Sequence, residues 1–121
     1  MPWSFNNTEA LFLQIAKQLR YEILIGKYLP NEQFPSVRQL AYEASVNPNT
    51  MQKALTCLEN EGLLISRTTV GRFVTGDTDV IKRASEQMRK EAVLRLVAEA
   101  KTLGITPEEF TQHLKEGGES E

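Results

Sequence analysis

Residues 34–60, FPSVRQLAYEASVNPNTMQKALTCLEN, constrain this chain most, because two helix-start signals lie close together there. Ser36 suits a helix N-cap, and Gln39 suits the far side of a capping box. Val37, Leu40 and Ala41 then recur at helical spacing and face inward. Asn47 caps a second helix, and Pro48 suits its first position, where a missing N–H costs little. Met51, Ala54, Leu55 and Leu58 make one buried stripe. Ser45-Val46-Asn47 is left as a tight turn. Two short helices joined this way form a helix-turn-helix, whose second helix enters the DNA major groove.

The buried stripe leaves Asn49, Thr50, Gln52 and Lys53 facing outward near the start of the second helix. Asn and Gln bond adenine bidentately, and Thr bonds bases or packs on a thymine methyl. A blander reading is two core helices with a solvated polar face, in a module used for protein contact. Arg38, Lys53, Arg67 and Arg72 discriminate. Convergence on one face favours DNA, and scatter favours a protein partner.

The flanking segments supply a scaffold. Residues 8–25 read as a first long helix, with Phe12, Ile15, Ala16, Leu19 and Ile23 buried and Gly26 as its stop. Trp3 and Phe5 in the preceding arm are placed to pack on the body or to anchor against a partner subunit, packing being the simpler reading. Pro30 and Asn31 mark a turn, and Gly62 closes the helix-turn-helix. Residues 63–67 and 72–75 read as two short strands joined by a turn at 68–71. Three helices and a hairpin make a winged helix. Arg67 and Arg72 flank the wing tip, where they can neutralise phosphates.

Residues 77–121 differ in character. A helix over 80–103 carries Ile81, Ala84, Met88, Ala92, Leu96 and Leu103 on one face, which widens through Val93, Val97 and Ala100. Gly104 ends it. A short last helix, ending near Glu116, starts at Thr106-Pro107, with Glu109 closing a capping box and Ile105 and Phe110 placed as a hydrophobic staple. Two helices with so little core need a partner, and a second copy of the segment is the simplest. Ile81, Ala84, Met88, Ala92, Leu96, Leu103, Phe110 and Leu114 are the expected dimer contacts.

Composition excludes more than it assigns. The net charge of −2 announces no nucleic-acid partner in bulk, but residues 1–76 hold 7 Lys/Arg against 6 Asp/Glu, and residues 77–121 hold 7 against 10. A near-neutral head with an acidic tail suits a reader that relies on placed contacts. One cysteine excludes an internal disulfide and a cysteine-cluster zinc site. His113, the sole histidine, has no ligand-spaced partner and reads as a surface residue. Cys57 lies beside the buried stripe as a packed small residue, and Glu108-Glu109 favour the helix dipole. No catalytic, cofactor or metal motif appears, no run approaches a membrane span, and no signal peptide opens the chain, so a soluble cytoplasmic protein is expected.

Leu13-Gln14-Ile15-Ala16, residues 23–27 and 34–46, Asn60-Glu61-Gly62-Leu63-Leu64 and Gly71-Arg72-Phe73-Val74 together resemble the amino-terminal domain of the GntR family of bacterial transcription regulators. The likeness spans about Leu11 to Val74. Asn47-Pro48-Asn49-Thr50 and the two-helix tail look like the YtrA-type branch. Other branches carry large effector-binding domains, for which this chain has no room. The resemblance implies a homodimeric DNA-binding regulator, usually a repressor. It also implies DNA contact at Arg38, around Asn49, Thr50 and Gln52, and in the wing near Gly71. Two departures matter. Thr68 and Thr69 stand where the family's wing often has a basic residue and a glycine, and Arg72 replaces a small residue, so the basic contact moves across the wing tip. Pro48 stands where many relatives outside this branch have Arg, which shifts base contact towards Asn and Gln.

The expected fold is therefore mainly α with a small β-hairpin: a winged helix-turn-helix over 1–76, then a two-helix dimerisation tail over 77–121. The candidate DNA contacts are Ser36, Arg38, Asn47, Asn49, Thr50, Gln52, Lys53, Arg67, Thr68, Gly71 and Arg72. The expected partners are a double-stranded palindromic operator, a second copy of the chain and, as a further possibility, a small-molecule effector of unspecified chemistry.

Overall fold

The structure is a computed structural model that describes residues 3–67 and 69–119. Its elements run α1 (Leu11–Leu24), α2 (Val37–Ala44), α3 (Pro48–Asn60), β1 (Leu64–Arg67), β2 (Gly71–Val74), α4 (Thr78–Thr102) and α5 (Pro107–Glu119). By contact the chain divides into two units, Met1–Ala84 and Ser85–Glu121.

The first unit is built round α1 and α3. Ile15, Ala16, Leu19 and Ile23 from α1 meet Met51, Ala54, Leu55 and Leu58 from α3, all withdrawn from water. Burying each of the larger side chains stabilises by roughly 1.5–3 kcal/mol. Leu40, Ala41 and Ala44 of α2 and Leu63, Leu64 and Val74 around the hairpin complete the same cluster. Trp3, Phe5 and Phe12 pack partly buried against this core. Arg20 on α1 grips Glu61, just past α3, with two nitrogens at 2.6 Å each.

Helix α1 begins at Leu11, not at Thr8. The Thr8 N–H and hydroxyl both donate to Asn6 Oδ1, at 2.9 and 2.8 Å, and Gln14 Nε2 donates to the Asn6 and Glu9 carbonyls. These local bonds compete with a helical start. Glu22, a charged residue on the core side of α1, is only 2% exposed. It is neutralised by Lys27 Nζ at 3.1 Å and bonded by Gln18 Nε2 at 2.8 Å.

The hairpin is antiparallel, with Leu64 opposite Val74, Ile65 opposite Phe73, Ser66 opposite Arg72 and Arg67 opposite Gly71. Strand β2 is also bonded on its other edge. Phe34 N–H donates to the Arg72 carbonyl at 2.8 Å, and Val74 N–H to the Glu32 carbonyl at 2.9 Å. The connector before α2 thus acts as a third strand-like segment, which the sequence pattern did not reveal. Gly62 leads into β1 at φ +81°, a left-handed conformation that a side chain makes costly.

Helix α4 starts where Asp77 Oδ1 accepts the Asp79 N–H at 3.0 Å. Val80, Ile81 and Ala84 pack on the first unit's core. The expected break at Gly76 marks the approach to a helix start, and the first unit continues to Ala84. In the second unit, Thr106 Oγ1 caps α5 by accepting the Glu109 N–H at 3.1 Å. Helix α5 runs to Glu119, past the expected end near Glu116 and through both glycines, each of which costs roughly 0.5–1 kcal/mol in a helix. No helix among the described residues is long and apolar enough to cross a membrane.

Candidate nucleic-acid interface

The helix-turn-helix is set by side-chain caps. Ser36 Oγ accepts the Gln39 N–H at 3.1 Å and starts α2. The reciprocal half of the capping box is replaced, because Gln39 Nε2 donates to Glu43 at 3.5 Å. Ser45 takes a left-handed conformation, φ 56°, and turns the chain. Asn47 Oδ1 accepts the Asn49 N–H at 2.7 Å and starts α3 with Pro48 inside its first turn. Ser36 and Asn47, both expected at DNA, thus have acceptor atoms engaged in holding the two helix starts.

Asn49, Gln52, Lys53 and Thr56 form the exposed face of α3, opposite its buried stripe. The side-chain amides of Asn49 and Gln52 make no hydrogen bond among the described residues, so their full donor and acceptor sets are available. Thr50 is half-buried. Lys53 Nζ lies 5.9 Å from the Phe12 ring centroid, at the start of α1. Arg38 on α2 is exposed and makes no ion pair among the described residues.

The wing separates its two arginines. Residues along a strand alternate in face, so Arg72 shares the inner face with Leu64 and Val74, and Arg67 shares the outer face with Ile65 and Phe73. Arg72 Nε bonds Glu59 Oε1 of α3 at 2.5 Å in a largely sheltered pair. The Arg67 guanidinium instead sits 4.6 Å over the Phe73 ring, exposed. The expectation that both neutralise phosphate from one tip meets this alternation: Arg67 is presented to solvent, and Arg72 fastens the wing to α3. Gly71 takes φ +115°, a conformation that favours glycine, and beside it Gln33 Nε2 donates to the Val70 carbonyl at 2.9 Å. Thr68 lies outside the described residues. Gln33 and Glu59 position the wing and were missed in the sequence, because their partners are distant along the chain.

The expected dimer contacts also divide. Ile81 and Ala84 face the core of their own first unit. Leu96, Leu103, Phe110 and Leu114 are exposed in the second unit, with Leu103 at 68%, while Met88 and Ala92 are half-exposed. An apolar groove of about 350 Å³ runs between α4 and α5, lined by Val97, Ala100, Ile105 and Phe110 among others. Both residues of the expected staple lie there. Among the described residues no cluster of His, Cys, Asp or Glu fits a metal ion.

A capped helix-turn-helix, an outward polar face on its second helix and a hairpin fixed beside it define a winged-helix DNA-binding protein. Comparison with known proteins carries this to a family. The profile of the bacterial regulatory proteins of the gntR family matches residues 11–74. The uncharacterised HTH-type transcriptional regulator YhcF of Bacillus subtilis is 32% identical, over 94% of this chain and 97% of its own length. The HTH-type transcriptional repressor YtrA of the same organism is 30% identical, over 88% and 82%. A GntR family transcriptional regulator from Listeria monocytogenes superposes with a TM-score of 0.83 at 28% identity, over 93% of this chain and 98% of that one. AraR(DBD) in complex with operator ORE1 superposes at 0.55 with 28% identity, over 61% and 90%. The chain belongs to the GntR family, in its YtrA-type branch. It is a DNA-binding transcription regulator and not an enzyme.

Proposed function

We propose that this chain represses transcription by binding a palindromic operator as a homodimer, in the cytoplasm. The carrying observation is the face of α3, where the amides of Asn49 and Gln52 point outward with no partner inside the described chain. Arg38 lies exposed on the neighbouring helix α2. Asn49, Thr50 and Gln52 read bases, Arg38 and Lys53 add charge, and Arg67 reaches phosphate from the wing. The repressor YtrA and the operator-bound AraR(DBD) support this reading by likeness.

The second copy docks on the apolar surface of Ser85–Glu121. Leu96, Leu103 and Leu114 keep more than half of their surface in the single chain, and burying them in a two-fold interface removes that exposure. A two-fold pair sets two α3 helices about 34 Å apart or at a multiple, which requires a palindromic site. An effector would act by changing that separation.

Titration of the protein into the duplex of its own promoter region, with footprinting, tests the proposal. A symmetric pair of protected half-sites is expected, with sedimentation giving twice the chain mass. A single half-site bound at full affinity by a monomer refutes it.

A further inference from the structure

Tyr42 is the most exposed large apolar-bodied residue described, at 85%, ahead of Leu103 at 68% and of Leu29 at 61% in its own unit. Its hydroxyl has no partner among the described residues. On α2 it stands four positions after Arg38, so the two side chains share one flank of the helix. The adjacent flank, one residue round the helix, carries Gln39 and Glu43, bonded to each other, and Glu43 lines a cavity with Glu22, Lys27 and Tyr28. That flank is acidic and engaged, whereas the Arg38–Tyr42 flank is cationic and unengaged. Ser45 N–H donates to the Tyr42 carbonyl at 3.2 Å, which places Tyr42 in the last turn of α2, ahead of the turn that leads into α3.

We infer that Tyr42 is a DNA-backbone contact: its phenol donates a hydrogen bond to a phosphate oxygen beside the groove that α3 enters, with the ring against the adjacent sugar. The inference rests on the DNA-binding reading above and extends the contact surface along α2 past Arg38. Three features single out DNA as the occupant. The flank is continuous with Arg38, the charge beside it is positive, and the first helix of a helix-turn-helix crosses the backbone. A tyrosine hydroxyl is a regular phosphate donor. Because it is neutral, it displaces no counterion, and this separates it from Arg38.

The test compares Tyr42→Phe, Tyr42→Ala and Arg38→Ala in the full chain, titrated into the promoter-region duplex and a random duplex of equal length over a range of salt. Tyr42→Phe should weaken both duplexes about tenfold, the scale of a hydrogen bond to a charged group. Its slope of log affinity against log salt should equal the parent's. Tyr42→Ala should weaken both further through loss of the ring. Arg38→Ala should lower the salt slope if it holds phosphate, or lose affinity on the promoter duplex alone if it reads a base. Tyr42 variants that bind within twofold of the parent overturn the inference and leave the DNA reading standing. So does a loss confined to the promoter duplex, or a changed sedimentation coefficient, which would make Tyr42 a base or protein contact. A parent that binds neither duplex removes the DNA reading and this inference together.

Discussion

In Met1–Ala84, Ile15, Leu19, Met51, Leu55, Leu58 and Leu63 have no exposed surface, while in Ser85–Glu121 Leu94, Leu96, Leu103 and Leu114 keep more than half of theirs. Both units use leucine on helices, so residue type does not explain the contrast. The number of layers does. Three helices and a hairpin enclose a volume, whereas two helices alone enclose none, and no described side chain of Ser85–Glu121 is fully buried. The same apolar periodicity thus means core in one unit and, in the proposed dimer, interface in the other.

The sharpest way to break that comparison is to cut the chain. Truncation after Ala84 should leave a folded monomer that binds the operator about a hundredfold more weakly or worse, because linked half-site binding is lost. Sedimentation and anisotropy check both parts. Truncation after Gly76 should also destabilise the head, since it removes Val80, Ile81 and Ala84 from the core. An intact dimer in either truncation sinks the division of labour.

A smaller change applies one deletion to both units. Leu55→Ala should lower head stability by about 2–5 kcal/mol in urea unfolding, the cost of a buried cavity. Leu103→Ala should leave head unfolding within about 0.5 kcal/mol of the parent and weaken self-association instead. Equal effects on head unfolding would mean that the second unit is core after all.

Within the head, function and stability should separate at the arginines. Arg38→Ala should cost on the order of 1–3 kcal/mol in operator affinity if its contact is bidentate to a base, with unfolding unchanged. Arg67→Ala should reduce the salt slope by roughly 0.9. Arg72→Ala should leave that slope alone and lower stability by about 1 kcal/mol through the lost Glu59 pair. If Arg72→Ala lowers the slope as Arg67→Ala does, the wing presents both faces to DNA.

The helix-turn-helix was legible because its signals are local. Ser36, Asn47 and Pro48 act within a turn of themselves, and the structure uses each as expected. The arginines of the wing were not, because their direction depends on register, and one step along a strand reverses the face. Neither Glu59 nor Gln33 announces a partner more than ten positions away. Ile81 and Ala84 continue the periodicity of Met88 and Ala92, so nothing in the pattern says where the stripe stops serving its own chain. Tyr42 was passed over because an exposed position on an amphipathic helix carries no periodic signal.

The smallest expected effect also belongs to the head. Lys27 is held above its ordinary value of 10.5, chiefly by the hydrogen bond it donates to Glu22, and burial raises Tyr28 above its ordinary 10.0. In both cases the folded chain keeps a proton that the unfolded chain releases sooner. Their contribution is complete below those ordinary values and is lost as pH rises through the higher folded ones. Resistance to urea unfolding should therefore fall above about pH 10, modestly, since the Lys27 side chain is 45% exposed and screened by solvent. Lys27→Met with Tyr28→Phe should flatten this part of the profile. The apolar pairing proposed for Ser85–Glu121 does not depend on either group, so sedimentation at pH 10 should still give the dimer while head stability falls. If the dimer dissociates in step with the head instead, the two units do not use their apolar residues independently.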